Sequence, residues 1–185
     1  MGAERDPAER RAAAALDLAA AGRRDARIEI VDYDDGWPRR FAAEAARLLA
    51  IVPELELHHI GSTAVAAKPI IDVMGVVESL DAPLPALTER GGYEYPAAYN
   101  ALLVGRRWLC RPSAAHRTHH LHLVEDPDEL ARHLRFSDAL RADPRLARRY
   151  AALKRALAAR MPDDREGYTA AKTGFIERAE AAFGG

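Results

Sequence analysis

Apolar residues recur along the chain with two different periods, and together they predict alternating helices and strands. Helical spacing runs from Trp37 to Val52. Residues 83–90 also have a helical pattern, whereas residues 93–100 are predicted to be irregular. Short apolar or alternating runs predict strands at 55–60, 70–77, 102–111 and 118–125.

The last third of the chain is predicted to be helical throughout. Three segments with helical spacing begin near Pro127, near Pro144 and near Tyr168, and proline is favoured in a helical first turn. Strands followed by helices indicate an α+β fold with a mixed, mainly antiparallel sheet, flanking helices and a C-terminal helical part. We expect one domain over residues 28–185, because 185 residues are too few for two independent cores.

The first residues have a different composition. Residues 7–21 are rich in alanine, and Gly22 stands where a helix commonly ends. The apolar face of this segment is poor, so it offers little surface for burial. We therefore predict an N-terminal helical extension over residues 1–27 that is separate from the domain.

Composition and charge exclude several classes of protein. The chain has 27 Lys and Arg against 28 Asp and Glu, and this balance gives no general attraction to nucleic acid or to an anionic membrane. No apolar run reaches the ~18 residues of a membrane span. The single cysteine, Cys110, excludes an internal disulfide and is predicted to be a core residue. We expect a cytoplasmic protein with a local anion site.

The first candidate for chemistry is the stretch from Gly61 to Asp72. Gly61 and Ser62 form a corner after a strand, and such a corner can offer backbone N–H groups and a hydroxyl to phosphate oxygens. Asp72 lies in the apolar strand that follows. An ionised carboxylate there needs a cation, a group of donors or solvent, so Asp72 is a candidate ligand of a divalent metal.

A second candidate is a group of histidines in the last predicted strand. Strand alternation places His120 and His122 on one face and His119 on the other. Two imidazoles at i and i+2 can share a metal ion or two phosphate oxygens, and imidazole can also act as an acid or a base. A closed structural zinc site is not favoured, since no cysteine pair accompanies them.

Several basic residues are candidates for neutralising a bound anion. Arg107 and Arg111 share a strand face and are either directed to one site or solvated at the sheet edge. Lys172 lies on the apolar stripe of the last helix, where it either extends past the core to solvent or reaches a phosphate. The pattern leaves both pairs of alternatives open.

Two motifs resemble those of a known family. Gly-Ser-Thr-Ala-Val at 61–65 with Ala-Lys-Pro-Ile-Ile-Asp at 67–72, followed by Arg-Thr-His-His-Leu-His-Leu at 117–123, is similar to the GrpB-like family of small bacterial proteins. That family resembles the nucleotidyltransferase fold, and in some proteins a similar domain is fused to dephospho-CoA kinase. The resemblance covers about residues 28–183.

The resemblance implies a nucleotidyl transferase. It implies that a nucleoside triphosphate and a small-molecule acceptor are the substrates, with Mg²⁺ or Mn²⁺ as cofactor. The residues implied to bind the nucleotide are Gly61, Ser62, Lys68, Arg107, Arg111 and Lys172. Those implied to bind the metal or to catalyse are Asp72, His120 and His122.

Met74 departs from the pattern that the resemblance implies. A nucleotidyltransferase normally has a second carboxylate two residues after the first, and here that position is Met74. Imidazole in place of carboxylate predicts weaker Mg²⁺ binding and a shift towards Mn²⁺ or Zn²⁺. Two alternatives follow, namely a non-catalytic module that binds a nucleotide or phosphometabolite, and an Asp/His enzyme that acts on a non-nucleotide substrate through a metal or by acid–base chemistry.

Overall fold

The structure is a computed structural model that describes residues 27–63 and 65–183. Of the predicted N-terminal helical extension, residues 1–26 lie outside the described residues, and that extension stays a prediction. No helix of the described part is long and apolar enough to cross a membrane.

In the described part of the chain, four strands form one sheet. They are β1 (Glu56–Ile60), β2 (Ile71–Val76), β3 (Arg106–Ser113) and β4 (His116–Val124), in the spatial order β1-β2-β4-β3. β1 pairs with β2 and β3 pairs with β4 in antiparallel fashion, whereas β2 and β4 are parallel. The predicted α+β class with a mixed, mainly antiparallel sheet is therefore confirmed.

Within residues 27–63 and 65–183, six helices accompany the sheet. They are α1 (Trp37–Leu49), α2 (Leu84–Glu89), α3 (Ala97–Asn100), α4 (Pro127–Ala142), α5 (Pro144–Arg160) and α6 (Arg165–Phe183). Asp126 and Asp143 cap α4 and α5, because their carboxylates accept the amide hydrogens of the second helical residues. The prediction missed the single-turn helix α3, and β3 begins at Arg106, four residues later than predicted.

One face of the sheet holds the largest apolar cluster. Alternation turns Ile71 and Val73 of β2 towards this face, and α1 covers it with the fully buried Trp37 and Leu48. The rest of this cluster's buried residues are Val52, Leu55, Ala67, Leu80, Leu87, Tyr93, Leu109, Leu121 and Leu123. Trp37 is thus a core residue, as its place at the head of the apolar stripe predicts.

The opposite face is covered by the C-terminal helices. Leu130 of α4 packs on Ile60, Met74 and Val124 of the sheet. Behind α4, a second cluster joins α4, α5 and α6 through residues that include Phe136, Tyr150 and Ala179. This face carries Asp72, so the site lies between the sheet and the helical layer.

A buried ionic network links α1 to β3, the strand at one edge of the sheet. The Glu44 carboxylate is 4% exposed and accepts hydrogen bonds from Tyr93 Oη at 2.8 Å, Arg111 Nη1 at 2.9 Å and Arg47 Nε at 3.1 Å. Burial by itself raises the pKa of Glu44, but the hydrogen bonds from Arg47 and Tyr93 outweigh it and lower the pKa below 4.5. Both oxygens of the Glu44 carboxylate therefore accept hydrogen bonds.

We predict that Glu44→Gln lowers the free energy of unfolding by about 2–3 kcal/mol, because the partly buried Arg47 and Arg111 lose their counter-ion. Because the folded-state pKa is depressed, this stabilisation is present above about pH 4.5 and is lost as the pH falls through that lower pKa. Chemical denaturation at several pH values measures both effects. The matched control is Asp138→Asn, whose carboxylate is 70% exposed in its pair with Arg141, with an expected change below about 0.5 kcal/mol. Equal effects of the two substitutions would contradict the network.

Candidate functional site

Asp72 is the centre of the candidate site, and the sheet register places two imidazoles beside it. In the parallel pairing of β2 with β4, Asp72 is opposite His120 and Met74 is opposite His122. His120 Nδ1 lies 2.9 Å from Asp72 Oδ1, and His122 Nε2 lies 3.9 Å from the same oxygen. The predicted sharing of one face by His120 and His122 is observed, and Asp72 lies on the same face of the sheet.

The protonation states of the pair follow from its surroundings. Burial by itself raises the pKa of the Asp72 carboxyl, but His120 and His122 outweigh burial and hold this pKa well below its usual range. Burial lowers the pKa of His120 to about 4. At neutral pH the pair is therefore a carboxylate and a neutral imidazole, with the imidazole Nδ1–H donating to Asp72.

The three side chains have the composition of a metal-binding group. One possible ligating atom from each of Asp72, His120 and His122 lies within 4.8 Å of the others. Two imidazoles with one carboxylate suit Mn²⁺, Zn²⁺ or a similar ion better than Mg²⁺, which prefers oxygen. Met74, at the position of a second carboxylate, is fully buried against Leu130 of α4, so it offers the ion nothing.

The Gly61 corner contacts the Asp72 side chain directly. Gly61 has φ +79°, and a Cβ atom built on it would lie 2.5 Å from Asp72 Oδ2 and 2.9 Å from Asp72 Cβ. Both the backbone angle and the space therefore require glycine here. The Gly61 carbonyl also accepts a hydrogen bond from Ser137 Oγ of α4 at 3.3 Å. A group bound at this corner would lie beside the Asp72 carboxylate.

The turn that follows the corner is held between the two layers. Val65 is buried in the helical cluster, and Ala67 forms an antiparallel bridge with Val31. The Thr63 hydroxyl is 2.7 Å from His59 Nε2, on the other side of the sheet from Asp72. Since these contacts fix the turn on several sides, Ser62 is positioned by the fold and not only by local sequence.

Lys154 of α5 and Lys172 of α6 belong to the helical layer, whereas Lys68 lies in the loop between the corner and β2. Lys172 Nζ lies 4.4 Å, and Lys68 Nζ 5.7 Å, from the centre of the same Tyr168 ring. Lys154 Nζ of α5 lies 3.5 Å from the Ser62 carbonyl oxygen. Of these three, Lys68 and Lys172 are predicted site residues, and Lys154 is not.

Arg107 and Arg111 are not brought to this site, which corrects the prediction that they serve it. They alternate with Trp108 and Cys110 and lie on the sheet face that α1 covers, opposite the face of Asp72. Arg107 pairs with Asp81 at 2.8 Å, and Arg111 pairs with Glu44 at 2.9 Å. Alternation correctly placed the two arginines on one face, but it cannot tell which face holds the site.

His133 is a site residue that the prediction missed. It lies on α4, and its Nε2 is buried without a hydrogen-bond partner in the described part of the chain. Burial, with a smaller contribution from His122, lowers the pKa of His133 to about 4, so this imidazole is neutral. Its position three residues after Leu130, on the stripe that packs against the sheet, is the sequence signal that identifies it.

His120 presents a second unpartnered nitrogen. Its Nε2 is buried and has no hydrogen-bond partner among the described residues, while its ring contacts Trp108 edge-on at 5.1 Å. Buried polar atoms normally have partners, so such atoms at one site indicate a place where a ligand makes contacts. The site therefore combines an ionised carboxylate, neutral imidazoles and nearby ammonium groups.

Comparisons with known proteins find several related bacterial proteins. The UPF0157 protein YqkA of Bacillus subtilis is 40% identical over 83% of this chain, which spans 46% of that relative. A UPF0157 protein of Pseudomonas aeruginosa is also 40% identical over 83% of the chain, which spans 66% of it. The glutamate-rich protein GrpB of Alkalihalophilus pseudofirmus is 32% identical over 81% of the chain and 92% of its own length.

A solved structure and a family model give the same assignment. The crystal structure of conserved protein GrpB from Enterococcus faecalis is similar with a TM-score of 0.72 and 37% identity, covering 83% of this chain and 96% of that one. The model of the GrpB protein family matches residues 27–182, which include every residue of the site. With this match and with relatives of 31–40% identity, the chain belongs to the GrpB family.

Proposed function

We propose that the chain is a metal-dependent enzyme that transfers a nucleotidyl group from a nucleoside triphosphate to a small-molecule acceptor. The observation that carries the proposal is the direct contact between the Gly61 corner and the Asp72 carboxylate, with His120 and His122 on the other side of that carboxylate. A phosphate group at the corner would have a cation site next to it. That combination is what phosphoryl-type transfer requires.

Each residue has a role in this proposal. The backbone at Gly61 and the Ser62 hydroxyl hold phosphate oxygens, and Lys68 and Lys172 neutralise their charge. Asp72, His120 and His122 would hold a divalent ion, Mn²⁺ or Zn²⁺ in preference to Mg²⁺, which when bound neutralises charge on the reacting phosphate. Arg107 and Arg111 have no part, because they lie on the opposite face.

The reaction that the proposal describes forms one bond and breaks one. The acceptor oxygen or nitrogen bonds to the α-phosphorus, and the bond from that phosphorus to the bridging oxygen breaks, so that pyrophosphate leaves. The acceptor proton passes to a base. His133 is suited to receive it, since it is neutral and its buried Nε2 has no partner in the described part of the chain.

A second candidate is an Asp/His enzyme that acts on a non-nucleotide substrate. The specific observation in its favour is that two neutral imidazoles, His120 and His133, present buried Nε2 atoms without partners among the described residues. Such groups can exchange protons with a small substrate, with or without a metal at Asp72. The non-catalytic binding module, supported by Met74, differs from both because it would bind ligand without turnover.

We expect ATP binding to be at least about tenfold tighter with Mn²⁺ than with chelator, and we expect Asp72→Asn to remove that difference. Asparagine keeps the shape of the side chain and loses the charge that binds the ion. Calorimetric titration of ATP, CTP, GTP and UTP with Mn²⁺, Mg²⁺, Zn²⁺ or chelator measures this. The matched control is Asp81→Asn, a substitution of an exposed carboxylate on the opposite face, which should behave as wild type.

The outcomes separate the candidates. Metal-dependent binding with pyrophosphate release in an acceptor screen supports the transferase. Equally metal-dependent binding without any release supports the binding module. No nucleotide binding under any condition rejects both and leaves the Asp/His candidate, which metal analysis of protein purified without chelator would then address.

We predict that Gly61→Ala disrupts the site, whereas Gly92→Ala is tolerated. Both glycines have positive φ, so each alanine costs about 1–2 kcal/mol through the backbone. Only at Gly61 does the new Cβ collide with Asp72, since nothing lies within 4 Å of the equivalent position at Gly92. Thermal unfolding and nucleotide titration of both variants measure the difference. Equal behaviour would show that the corner does not press on Asp72.

A further inference from the structure

Lys154 is buried in a way that packing does not explain. Its side chain is 1% exposed, and its Nζ lies 4.5 Å from the centre of the Tyr150 ring. It forms no ion pair within the described residues, and its hydrogen bond to the Ser62 carbonyl oxygen is long, at 3.5 Å. An ammonium group taken out of water without a carboxylate partner lowers stability. A buried ammonium group of this kind therefore indicates a functional role for Lys154.

The distribution of lysine in the chain strengthens this point. The sequence contains three lysines, Lys68, Lys154 and Lys172, and every other strongly basic side chain is arginine. Lys68 and Lys172 lie over one ring, that of Tyr168, while Lys154 reaches Ser62 at the corner. Burial, followed by repulsion from Lys172, lowers the pKa of Lys154 to about 7, and Lys68 contributes to the same effect. The ammonium groups are therefore close enough to repel one another.

The chemistry of this group selects a class of ligand. Ammonium groups bind phosphate oxygens as point charges, and they tolerate many orientations of the anion. Several of them together favour an anion with several charges over one with a single phosphorus. Asp72 raises the pKa of Lys154, which places the metal-binding carboxylate within electrostatic reach of the lysines. A chain of phosphates could contact the lysines at one end and the Asp72 centre at the other.

We propose that Lys154, together with Lys68 and Lys172, binds a di- or triphosphate group at the Gly61–Ser62 corner, and that this binding does not require the metal at Asp72. The inference rests on the proposed function, because it assigns the binding of the phosphate chain to residues distinct from the metal centre. The source is either the tail of a nucleotide or an inorganic polyphosphate, which share this chemistry. Of the three lysines, Lys154 is the one whose buried charge most needs a bound anion to compensate it.

The test is calorimetric titration of inorganic tripolyphosphate, pyrophosphate and phosphate in the presence of chelator. We expect affinity to fall in that order, and Lys154→Met to weaken tripolyphosphate binding at least about tenfold. Asp72→Asn should bind tripolyphosphate at least as tightly as wild type in chelator, because it removes a negative charge beside the corner. The matched control is Arg155→Met, which removes a half-exposed charge one residue away that pairs with Asp32. Lys172→Met is the second variant, and it should weaken binding in the same direction.

The possible results separate this inference from the proposed function. Unchanged binding in Lys154→Met, or no tripolyphosphate binding without metal, overturns the inference. Metal-free binding that Lys154→Met weakens supports it even when no nucleotide shows metal dependence, which would reject the proposed function alone. ATP that binds tighter than tripolyphosphate identifies a nucleotide as the source, whereas equal affinity identifies the phosphate chain itself. Both of these results support the site.

A second measurement needs no variant. Because the chain contains three lysines, amine-directed acylation followed by peptide mass spectrometry reports on this site, with added free lysine as the reference amine. Tripolyphosphate should slow acylation of Lys68 and Lys172 and leave acylation of the added free lysine unchanged. Equal rates with and without tripolyphosphate would contradict the site.

We also expect Lys154→Met to raise the melting temperature of the ligand-free protein, since it removes a buried charge. The folded-state pKa of about 7 lies below the ordinary lysine pKa of 10.5, so the unfolded chain binds more protons between these values and wild-type stability rises with pH there. The advantage of the variant should be full below pH 7 and should shrink towards pH 10.5. The charges that act on Lys154 are those of Lys172, Arg155, Asp72 and Lys68. A variant less stable than wild type at pH 7 would show that Lys154 has a structural role.

Discussion

The ionised carboxylate of Asp72, set in a strand whose other residues are apolar, is the constraint on which the site depends. Its charge has to be compensated on a face that α4 and the helices behind it largely cover. The fold supplies that compensation across the β2–β4 pairing, through His120 and His122. It also leaves room beside the carboxylate, because Gly61 has no side chain. The composition of the candidate metal site, the geometry of the Gly61 corner and the protonation of the imidazoles all follow from this one placement.

Strand alternation predicted the core of the site from sequence. Successive side chains of a strand point to opposite faces. The sequence therefore placed His120 and His122 together on one face of their strand and Asp72 on a defined face of its own. The apolar runs likewise predicted the α+β class and the three C-terminal helices. Boundaries were predicted less well. The single turn of α3, which directly follows Pro96, was predicted to be irregular, and β3 begins at Arg106, after Gly105 and later than the apolar pattern indicates.

Sequence could not show which basic residues share the site. Arg107 and Arg111 were grouped correctly with each other, but only the packing of α1 shows that Glu44 and Asp81 neutralise them on the opposite face. Lys154 was hidden in a helix with many basic residues. Lys154 lies four residues after Tyr150 and three before Leu157, which places it on the buried stripe of α5. A charged residue is unusual at such a position, and only the structure shows its contact with the Ser62 carbonyl oxygen.

The contact between Asp72 and His120 joins residues 48 positions apart, and it forms only when β2 and β4 pair in one register. A slip of one residue would bring His119 or Leu121 opposite Asp72, and the side chains of both point to the other face. The carboxylate would then be buried without a donor, at a far higher free energy than an apolar residue in the same place. The charge of Asp72 thus favours the native register of β2 and β4. A shifted register would raise the free energy of the sheet at this residue, and the apolar residues alone would discriminate less sharply between the two registers.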